Sequence, residues 1–419
     1  MFDRIKHFAI GQGATQVLQV LIGLVLVNFL QPSEYAFFVT YIGLYFVATS
    51  LVDLSVSQSI IPLVGANINN NDIIGRYIFA AKLVRKKSFF ILTPLIISAL
   101  FYVSLKHQWA ITKILIVLPV LLLTVFLDGW RSIYHSAIII KGELSKYYKI
   151  LFGSEVVRLA LIVLVFHFGS LNAITAVVLY LFSIALQALL LRRFTDHEVG
   201  TKGINLDVVA EITEIKNFRR PLIPGAIFAA FQSQLMVLIA AFFGKDKNIA
   251  EVAALSRLGM VLSFFNAMNG SVVMPYFAAF RGRSLLRDYI LVLLAAAAVL
   301  FGVIVFSAIF PKILLLLLGD NYSHLTNELP LVFINAAITY YLSLTWSIQS
   351  ARRWLWWWMP LIGIPGTLAI QVAGVAIMDM SITSNLIWLS IYSGIFGLAF
   401  RFLMAYLGFT QKERKYGTI

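Results

Sequence analysis

Residues 112–140 read TKILIVLPVLLLTVFLDGWRSIYHSAIII. About 20 consecutive apolar residues are enough for a helix to cross the hydrocarbon core of a bilayer. The stretch exceeds that length and is almost continuously apolar, whereas the strands of a membrane β-barrel alternate polar and apolar side chains. The pattern therefore predicts a transmembrane α-helix. It decides the fold class because the same pattern recurs along the chain.

Eleven other stretches are apolar over a comparable length. They lie at about 8–30, 36–64, 88–105, 149–168, 171–191, 221–243, 250–279, 286–310, 328–350, 354–378 and 384–407. Together with residues 112–140 they predict an all-α polytopic membrane protein with about twelve transmembrane helices. Several are longer than one crossing needs, which predicts tilted helices or helices that extend into the cytoplasm.

The composition supports the same fold class. The 419-residue chain is 60% hydrophobic and only 12% charged, and it has no cysteine. A soluble domain carries about 25% charged residues, so this charge density cannot cover a surface that faces water. The composition excludes a soluble enzyme, a disordered chain and a secreted disulfide scaffold. Without cysteine, a thiolate metal site and a cysteine nucleophile are excluded as well.

The formal net charge of +14 has two explanations. Excess positive charge is typical of nucleic-acid binding, but lysine and arginine also accumulate in the cytoplasmic loops of membrane proteins. If the N-terminus is cytoplasmic, 24 of the 33 basic residues lie in segments predicted to be inside, and only five lie outside. This bias predicts that both termini are cytoplasmic, and it explains the charge without a nucleic-acid partner.

The longest polar stretch, residues 192–220, separates two sets of six predicted helices. We therefore predict an N-terminal six-helix bundle over 1–195, a cytoplasmic amphipathic linker over 196–220 that lies on the inner leaflet, and a C-terminal six-helix bundle over 221–419. Both sets have an acid in their first outside turn, Glu34 and Glu251. This similarity suits a transporter built from two related halves.

Charged side chains inside a membrane are costly and mark candidate functional sites. Six lie deep in predicted crossings: Asp53, Asp128, Arg131, Glu155, Arg158 and Arg257. Asp128–Arg131 and Glu155–Arg158 have i,i+3 spacing, so each pair shares a helix face. Each pair is either a neutral unit that holds the fourth and fifth helices together or part of a hydrated cavity. In a cavity the arginines would bind an anion, and a diphosphate suits a guanidinium because it accepts bidentate hydrogen bonds.

Neither of the other two charges has an oppositely charged residue three or four positions away in the sequence. Asp53 is a candidate for proton or cation coupling, or a partner of Arg131 or Arg158 across helices. Arg257 is the one deep cation of the C-terminal half. It either contributes to anion binding or donates to backbone carbonyls.

Nucleotide and metal motifs are absent from the sequence. No G-x-x-x-x-G-K-[ST] loop occurs, so ATP hydrolysis by this chain is not expected. No pair of histidines has the spacing of a helical metal site. We therefore predict neither a cofactor nor a bound metal.

Two segments near the N-terminus carry a family resemblance. Residues 30–38 read LQPSEYAFF, and residues 52–55 read VDLS. They resemble the opening of bacterial polysaccharide and O-antigen flippases, which have L-x-P-x-E-Y-G in the first turn and D-x-G in the second helix. These flippases belong to the multidrug/oligosaccharidyl-lipid/polysaccharide (MOP) exporter superfamily. Ala36 and Ser55 stand where that family favours glycine.

Three later segments resemble the same family. PLIP at 221–224 and AALSR at 253–257 are similar to the starts of its seventh and eighth helices. LLLLGDNY at 315–322 is similar to its L-L-G-x-x-Y turn after the ninth helix. The family often has an aspartate in the outer part of the seventh helix, where Gln234 or a neighbour lies in this chain. The motifs occur in the family's order along the whole chain.

The resemblance implies two six-helix bundles around a central cavity and transport by alternating access. It implies that the cargo is a polyprenyl-diphosphate-linked oligosaccharide, turned from the inner to the outer leaflet of the bacterial cytoplasmic membrane. Arg131, Arg158 and Arg257 would bind the diphosphate and acidic sugars. Asp53, Asp128 and Glu155 would pair with charges or couple an ion. A polysaccharide polymerase and a chain-length regulator are the expected protein partners.

Other function classes fit the composition. A membrane-embedded polymerase or glycosyltransferase would act on the same lipid, but it needs catalytic residues on a substantial outside loop. The longest candidate loop, 311–328, offers only Lys312, Asp320, His324 and Glu328. A small-molecule antiporter of the same superfamily is a further alternative. The prediction is a transporter rather than an enzyme.

Overall fold

The structure, a computed structural model, describes residues 2–64, 70–199, 207–269, 273–279, 285–352, 354 and 356–413. Over these ranges the chain is almost entirely helical and contains no β-strand. The α-helices are α1 Phe2–Phe29, α2 Pro32–Asp53, α3 Val56–Val64, α4 Asn71–Lys106, α5 Ile111–Lys141, α6 Leu144–His167, α7 Ala173–Val199, α8 Val209–Arg219, α9 Ile223–Gln232, α10 Leu235–Phe243, α11 Asp246–Gly259, α12 Ser263–Met268, α13 Met274–Ala279, α14 Leu285–Ile309, α15 Pro311–Leu316, α16 Glu328–Ala351, α17 Met359–Ile377 and α18 Thr383–Leu407. Short 3₁₀ turns lie at Arg220–Leu222, Met260–Leu262 and Asp320–Tyr322, and a π-helical turn at Gly408–Glu413.

Ten of the described helices are long and apolar enough to cross a membrane. An eleventh crossing is formed if the helical segment Val209–Gln232 and α10, which meet at a bend of 64°, are counted as one span. This confirms the predicted all-α, polytopic class. The predicted crossing at 250–279 is divided differently, because α11, α12 and α13 are short helices rather than one long helix.

Two other predicted crossings have different ends in the structure. The predicted crossing 36–64 is two helices, because the chain breaks between α2 and α3. The predicted crossing 88–105 is only the C-terminal part of the 36-residue helix α4. Asn70 caps α4, since its side chain accepts hydrogen bonds from the backbone N–H of Asp72 (3.0 Å) and Ile73 (3.2 Å). A helix can continue beyond the apolar region into water, so hydropathy locates the crossing and not the helix ends.

The chain forms two compact units. The N-terminal unit comprises residues 6–22 and 29–246, and the C-terminal unit comprises residues 1–5, 23–28 and 247–419. The bent pair α9 and α10 therefore belongs to the N-terminal unit. Within that unit α2 is the central helix, since 78% of its apolar window is buried. In the C-terminal unit only 11% of the window is buried in α14 and in α17, so most of their apolar surface is available to lipid.

The described part of the predicted linker packs against α4. Residues 200–206 of the linker lie outside the described residues. In α8, Glu211 forms a salt bridge with Arg76 of α4 (2.6 Å), and Ile215 is fully buried in the apolar core beneath α3 and α4. These contacts anchor the start of the bent crossing to the N-terminal unit.

Candidate functional site

Asp128 and Arg131 of α5 form an ion pair inside the N-terminal unit. Arg131 Nη2 lies 2.5 Å from Asp128 Oδ1. The Asp128 side chain is 3% exposed, whereas that of Arg131 is 26% exposed. The i,i+3 spacing that the sequence shows is thus realised as a direct contact, with the carboxylate buried and the guanidinium partly accessible.

Glu155 and Arg158 of α6 form the second i,i+3 pair. Arg158 Nη1 donates to Glu155 Oε2 at 3.2 Å, and both side chains are buried. The Arg158 guanidinium lies 4.7 Å from the centroid of the Tyr180 ring on α7. A cation over an aromatic face is stabilised where it has lost its water. Arg158 is therefore held from two sides, by a carboxylate and by a ring.

Gln187 of α7 joins the two pairs. Its side-chain oxygen accepts from Arg131 Nη1 (3.0 Å), and its amide nitrogen donates to Glu155 Oε1 (3.2 Å). Ser183, one turn earlier on α7, donates to the same Glu155 oxygen at 3.3 Å. The charges of α5 and α6 are thus one network that runs through α7. Gln187 was missed in the sequence because it is uncharged; its position in an apolar crossing was the available signal.

Asp53, at the end of α2, pairs with a residue that the sequence analysis did not select. Its carboxylate forms a salt bridge with Arg85 of α4, and it accepts a hydrogen bond from Ser57 Oγ (2.5 Å). Arg85 also donates to Ser132 Oγ at 2.9 Å and approaches Asp128 at 3.8 Å. The partner of Asp53 across helices is therefore Arg85, and neither Arg131 nor Arg158. Arg85 lies in the first half of α4, and it is buried although the neighbouring Lys86 and Lys87 are exposed.

The break after α2 gives Asp53 its position. Leu54 and Ser55 both have positive φ angles, 38° and 66°. Side chains disfavour this left-handed region and glycine tolerates it. The resembled flippases favour glycine where Ser55 stands, so the family pattern and this backbone conformation agree. The turn brings the backbone N–H of Ser57 to the Asp53 carboxylate, at 3.3 Å from Oδ1.

The network balances its charges. It joins the carboxylates of Asp53, Asp128 and Glu155 to three arginine side chains, Arg85, Arg131 and Arg158. Buried ions cost several kcal/mol each unless they are paired and hydrogen-bonded, so this pairing makes the network tolerable inside a membrane protein. An anion that binds one guanidinium must compete with a carboxylate, and a proton that neutralises a carboxylate frees a guanidinium. These are the reactions available to the network.

Arg257, the remaining predicted site residue, lies on α11 in the C-terminal unit. Its aliphatic stem passes close to Gly23 of α1, where an added Cβ would be only 2.8 Å from Arg257 Cδ. Its Nη1 lies 3.6 Å from the sulfur of Met260. Five of the six predicted residues are therefore in one network of the N-terminal unit, and Arg257 lies in the other unit.

Comparisons with known proteins identify the fold. No family model matches the chain, and no curated protein matches it. Among solved structures, an inward-facing multidrug resistance MATE family transporter of the MOP superfamily has a TM-score of 0.67 and 11% identity over 95% of this chain and 96% of that chain. The outward-facing conformation of a transporter of the same description has a TM-score of 0.62 and 14% identity, over 98% and 96%. A MATE in complex with MaL6 has a TM-score of 0.61 and 13% identity, over 97% of both chains.

The chain thus has a MATE-like fold, of the kind found in the MOP superfamily. Identities of 11–14% establish the fold and no more. Together with the ten apolar helices, the fold makes this a multi-pass membrane protein.

Proposed function

We propose that this protein exports a polyprenyl-diphosphate-linked oligosaccharide, an O-antigen or other surface-polysaccharide repeat unit, from the inner to the outer leaflet by alternating access. The observation that carries the proposal is the network of three arginines and three acids inside a MATE-like fold. Ionisable groups inside a membrane are costly, so they mark candidate sites of transport or binding. The flippase-like segments at 30–38 and 52–55 support the same cargo class.

Arg131 is the arginine of the network best suited to receive the cargo. Its side chain is 26% exposed, compared with 7% for Arg158 and 5% for Arg85. A guanidinium forms bidentate, charge-assisted hydrogen bonds with phosphate oxygens. In the proposal Arg131 binds the diphosphate first, and Arg158 supports it through Glu155 and Gln187. Arg257 is proposed as a further cation for the diphosphate or acidic sugars. The lipid tail stays in the bilayer throughout.

The acids keep the site neutral when it holds no cargo. Asp53, Asp128 and Glu155 each contact a guanidinium or an amide of the network. When the diphosphate binds, it displaces a carboxylate from its guanidinium, and a proton or cation is then needed to restore the balance. This gives the three acids the role of charge pairing and, in the same step, of coupling transport to an ion.

A second candidate function is antiport of a small molecule. The specific observation in its favour is that two of the similar structures are described as multidrug resistance transporters. In that case the acids of the network would bind a cationic solute, and the arginines would be their structural counter-ions.

We propose that the protein resides in the bacterial cytoplasmic membrane with both termini inside, next to a polymerase and a chain-length regulator.

The two functions are distinguished in cells that lack the protein. Loss of a flippase should leave complete lipid-linked repeat units on the inner leaflet, out of reach of an impermeant sugar-oxidising reagent. Repeat units that still reach the outer leaflet at the normal rate would contradict the proposal, and a fall in drug efflux without a change in glycolipid would favour the antiporter.

A further inference from the structure

A cleft of about 330 Å³ opens between α4 and α5 in the N-terminal unit, beside the charge network. Four of its lining side chains are basic and four are aromatic; they are Lys82, Arg85, Lys86 and Arg192, and Phe89, Phe126, Trp130 and Tyr134. No acid is among the lining residues in the part of the chain that the structure describes. Its volume is at the lower end of the range for small-ligand sites, so it suits a headgroup rather than an oligosaccharide.

The aromatic side chains hold two of the cations in place. Lys82 Nζ lies 4.5 Å from the centroid of the Tyr134 ring, and the Arg192 guanidinium lies 5.9 Å from that of Trp130. Arg192 also lies 3.5 Å from Asp196, which offsets part of its charge. Ring contacts orient a cation without neutralising it. The cleft therefore keeps a net positive charge at its wall.

Arg85 has hydrogen-bond donors that the described residues do not satisfy. Its Nη1 donates to Asp53 and Ser132. Its Nη2 lies 3.8 Å from Asp128 Oδ2, beyond hydrogen-bond distance, and its buried Nε and Nη2 have no hydrogen-bond acceptor within the described ranges. The side chain is 5% exposed and lines the cleft. Gly129 makes room for it, since an added Cβ would lie 2.4 Å from Arg85 Nε. Buried donors without acceptors are costly, so an anionic oxygen in the cleft would be stabilising.

The cleft lies at one boundary of the apolar layer. Lys86 precedes the end of α4 at Lys106 by 20 residues, and Trp130 and Arg192 each follow the start of their helices, Ile111 and Ala173, by 19 residues. At a rise of 1.5 Å per residue each distance is about 30 Å, the thickness of the hydrocarbon core. Three helices therefore bring these residues to the same depth, where lipid phosphates lie. In the proposed orientation this is the cytoplasmic side.

We infer that this cleft binds the phosphate group of a lipid in the cytoplasmic leaflet. Lys82, Lys86 and Arg192 supply charge, and the unsatisfied N–H donors of Arg85 supply directed hydrogen bonds to phosphate oxygens. The aromatic floor contacts the start of the acyl or isoprenoid chain. The lipid is either the diphosphate carrier of the proposed cargo or an anionic phospholipid. The choice of leaflet rests on the proposed orientation, but the site itself does not depend on the proposed cargo.

Lipid binding to the purified full-length protein tests the inference. The probes are a long-chain prenyl diphosphate, phosphatidylglycerol, phosphatidylcholine and inorganic pyrophosphate, followed by native mass spectrometry in a neutral detergent. The double variant Lys82→Gln/Lys86→Gln is compared with Lys87→Gln, because Lys87 is an exposed neighbour that does not line the cleft. We expect the double variant to bind the preferred anionic lipid, the prenyl diphosphate or phosphatidylglycerol, at least tenfold more weakly than the unchanged protein. Lys87→Gln should bind the same lipid within twofold of the unchanged protein.

Each outcome has a defined meaning. Preferential binding of the prenyl diphosphate identifies the cargo carrier as the ligand, whereas preferential binding of phosphatidylglycerol identifies a bulk phospholipid. Binding of pyrophosphate as tightly as either lipid would overturn the role of the lipid chain. Unchanged binding in the double variant, or an equal loss with Lys87→Gln, would overturn the cleft as the site. If the double variant does not fold, the single variant Lys86→Gln replaces it, since Lys86 is exposed.

Discussion

Glu34 and Glu251 make corresponding contacts in the two halves of the chain. Glu34 Oε2 accepts a hydrogen bond from the backbone N–H of Ala173, the first residue of α7. The Glu251 carboxylate accepts one from the hydroxyl of Thr383, the first residue of α18. In each half, an acid near the start of one helix, α2 or α11, therefore accepts a hydrogen bond from the first residue of the last long helix, α7 or α18. The sequence similarity between the two outside turns coincides with an equivalent contact.

Replacing Glu251 by glutamine should destabilise the protein more than replacing Glu34. The Glu251 side chain is 7% exposed and also contacts His324 (2.8 Å), whereas that of Glu34 is 23% exposed. Loss of a charge-assisted hydrogen bond at a buried site costs about 1–3 kcal/mol. Thermal unfolding in detergent should show a lower midpoint for Glu251→Gln. Asp72→Asn, an exposed acid in the first turn of α4, is the matched control and should unfold like the unchanged protein.

Stability should depend on pH through His107, which lies between α4 and α5. Burial lowers the pKa of His107, whereas its ion pair with Asp246 and its hydrogen bond to the Ala241 carbonyl raise it. The two raising contributions together are larger, so the net shift of the pKa is upward. The stabilisation is then complete below the ordinary pKa of about 6.5 and is lost as pH rises through the raised value. Unfolding midpoints measured from pH 5 to 9 should fall across that window. His107→Gln should flatten the profile, and an identical profile in that variant would contradict the assignment.

Neutralising either Glu155 or Arg158 alone should destabilise the protein much more than neutralising both. Removing one partner of a buried ion pair leaves an uncompensated charge and costs about 3–5 kcal/mol, whereas removing both is often nearly neutral. Arg158→Gln and Glu155→Gln should each reduce the yield of folded protein and its unfolding midpoint. The double variant should recover most of the loss. A loss in the double variant that equals the sum of the two single losses would show that the two side chains act independently.

Replacing Arg131 should reduce transport without reducing the amount of folded protein. Because its side chain is 26% exposed and hydrogen-bonds Gln187, Arg131→Gln should disturb the fold less than Arg158→Gln does. If Arg131 binds the diphosphate, Arg131→Gln should reduce the appearance of glycolipid on the outer leaflet at least tenfold at unchanged protein level. Arg131→Lys keeps the charge but loses the bidentate geometry, so it should retain partial transport. Full transport by Arg131→Gln would contradict its role in binding.

Ser55→Gly should stabilise the break between α2 and α3. A side chain at a φ of 66° costs about 1–2 kcal/mol relative to glycine. Glycine removes this cost, but it also makes the unfolded chain more flexible, which offsets part of the gain in stability. We expect a net gain of about 1 kcal/mol, seen as a higher unfolding midpoint. Ser98→Gly is the control. Ser98 is exposed within α4, where glycine has a lower helix propensity than serine, so this variant should have a lower unfolding midpoint.

The sequence alone determined that this is a membrane protein and which segments of the chain cross the membrane. Apolar runs of membrane length specify helices, because a helix satisfies its backbone hydrogen bonds within one segment and needs no partner strand. The same argument selected Asp53, Asp128, Arg131, Glu155 and Arg158, since charges in such runs are rare and stand out. It also predicted which two pairs share a helix face, because i,i+3 spacing is local geometry.

Only the tertiary structure decided how these residues are connected. Arg85 lies beside lysines at the edge of an apolar run, where a buried and an exposed cation look alike in sequence, and the packing of α2, α4 and α5 brings it to Asp53 and Asp128. Gln187 joins the ion pairs of α5 and α6 because α7 packs against both helices. Contacts between residues far apart in the chain depend on helix rotation and depth. Hydropathy specifies neither, so the network and the basic cleft beside it could be found only in the folded protein.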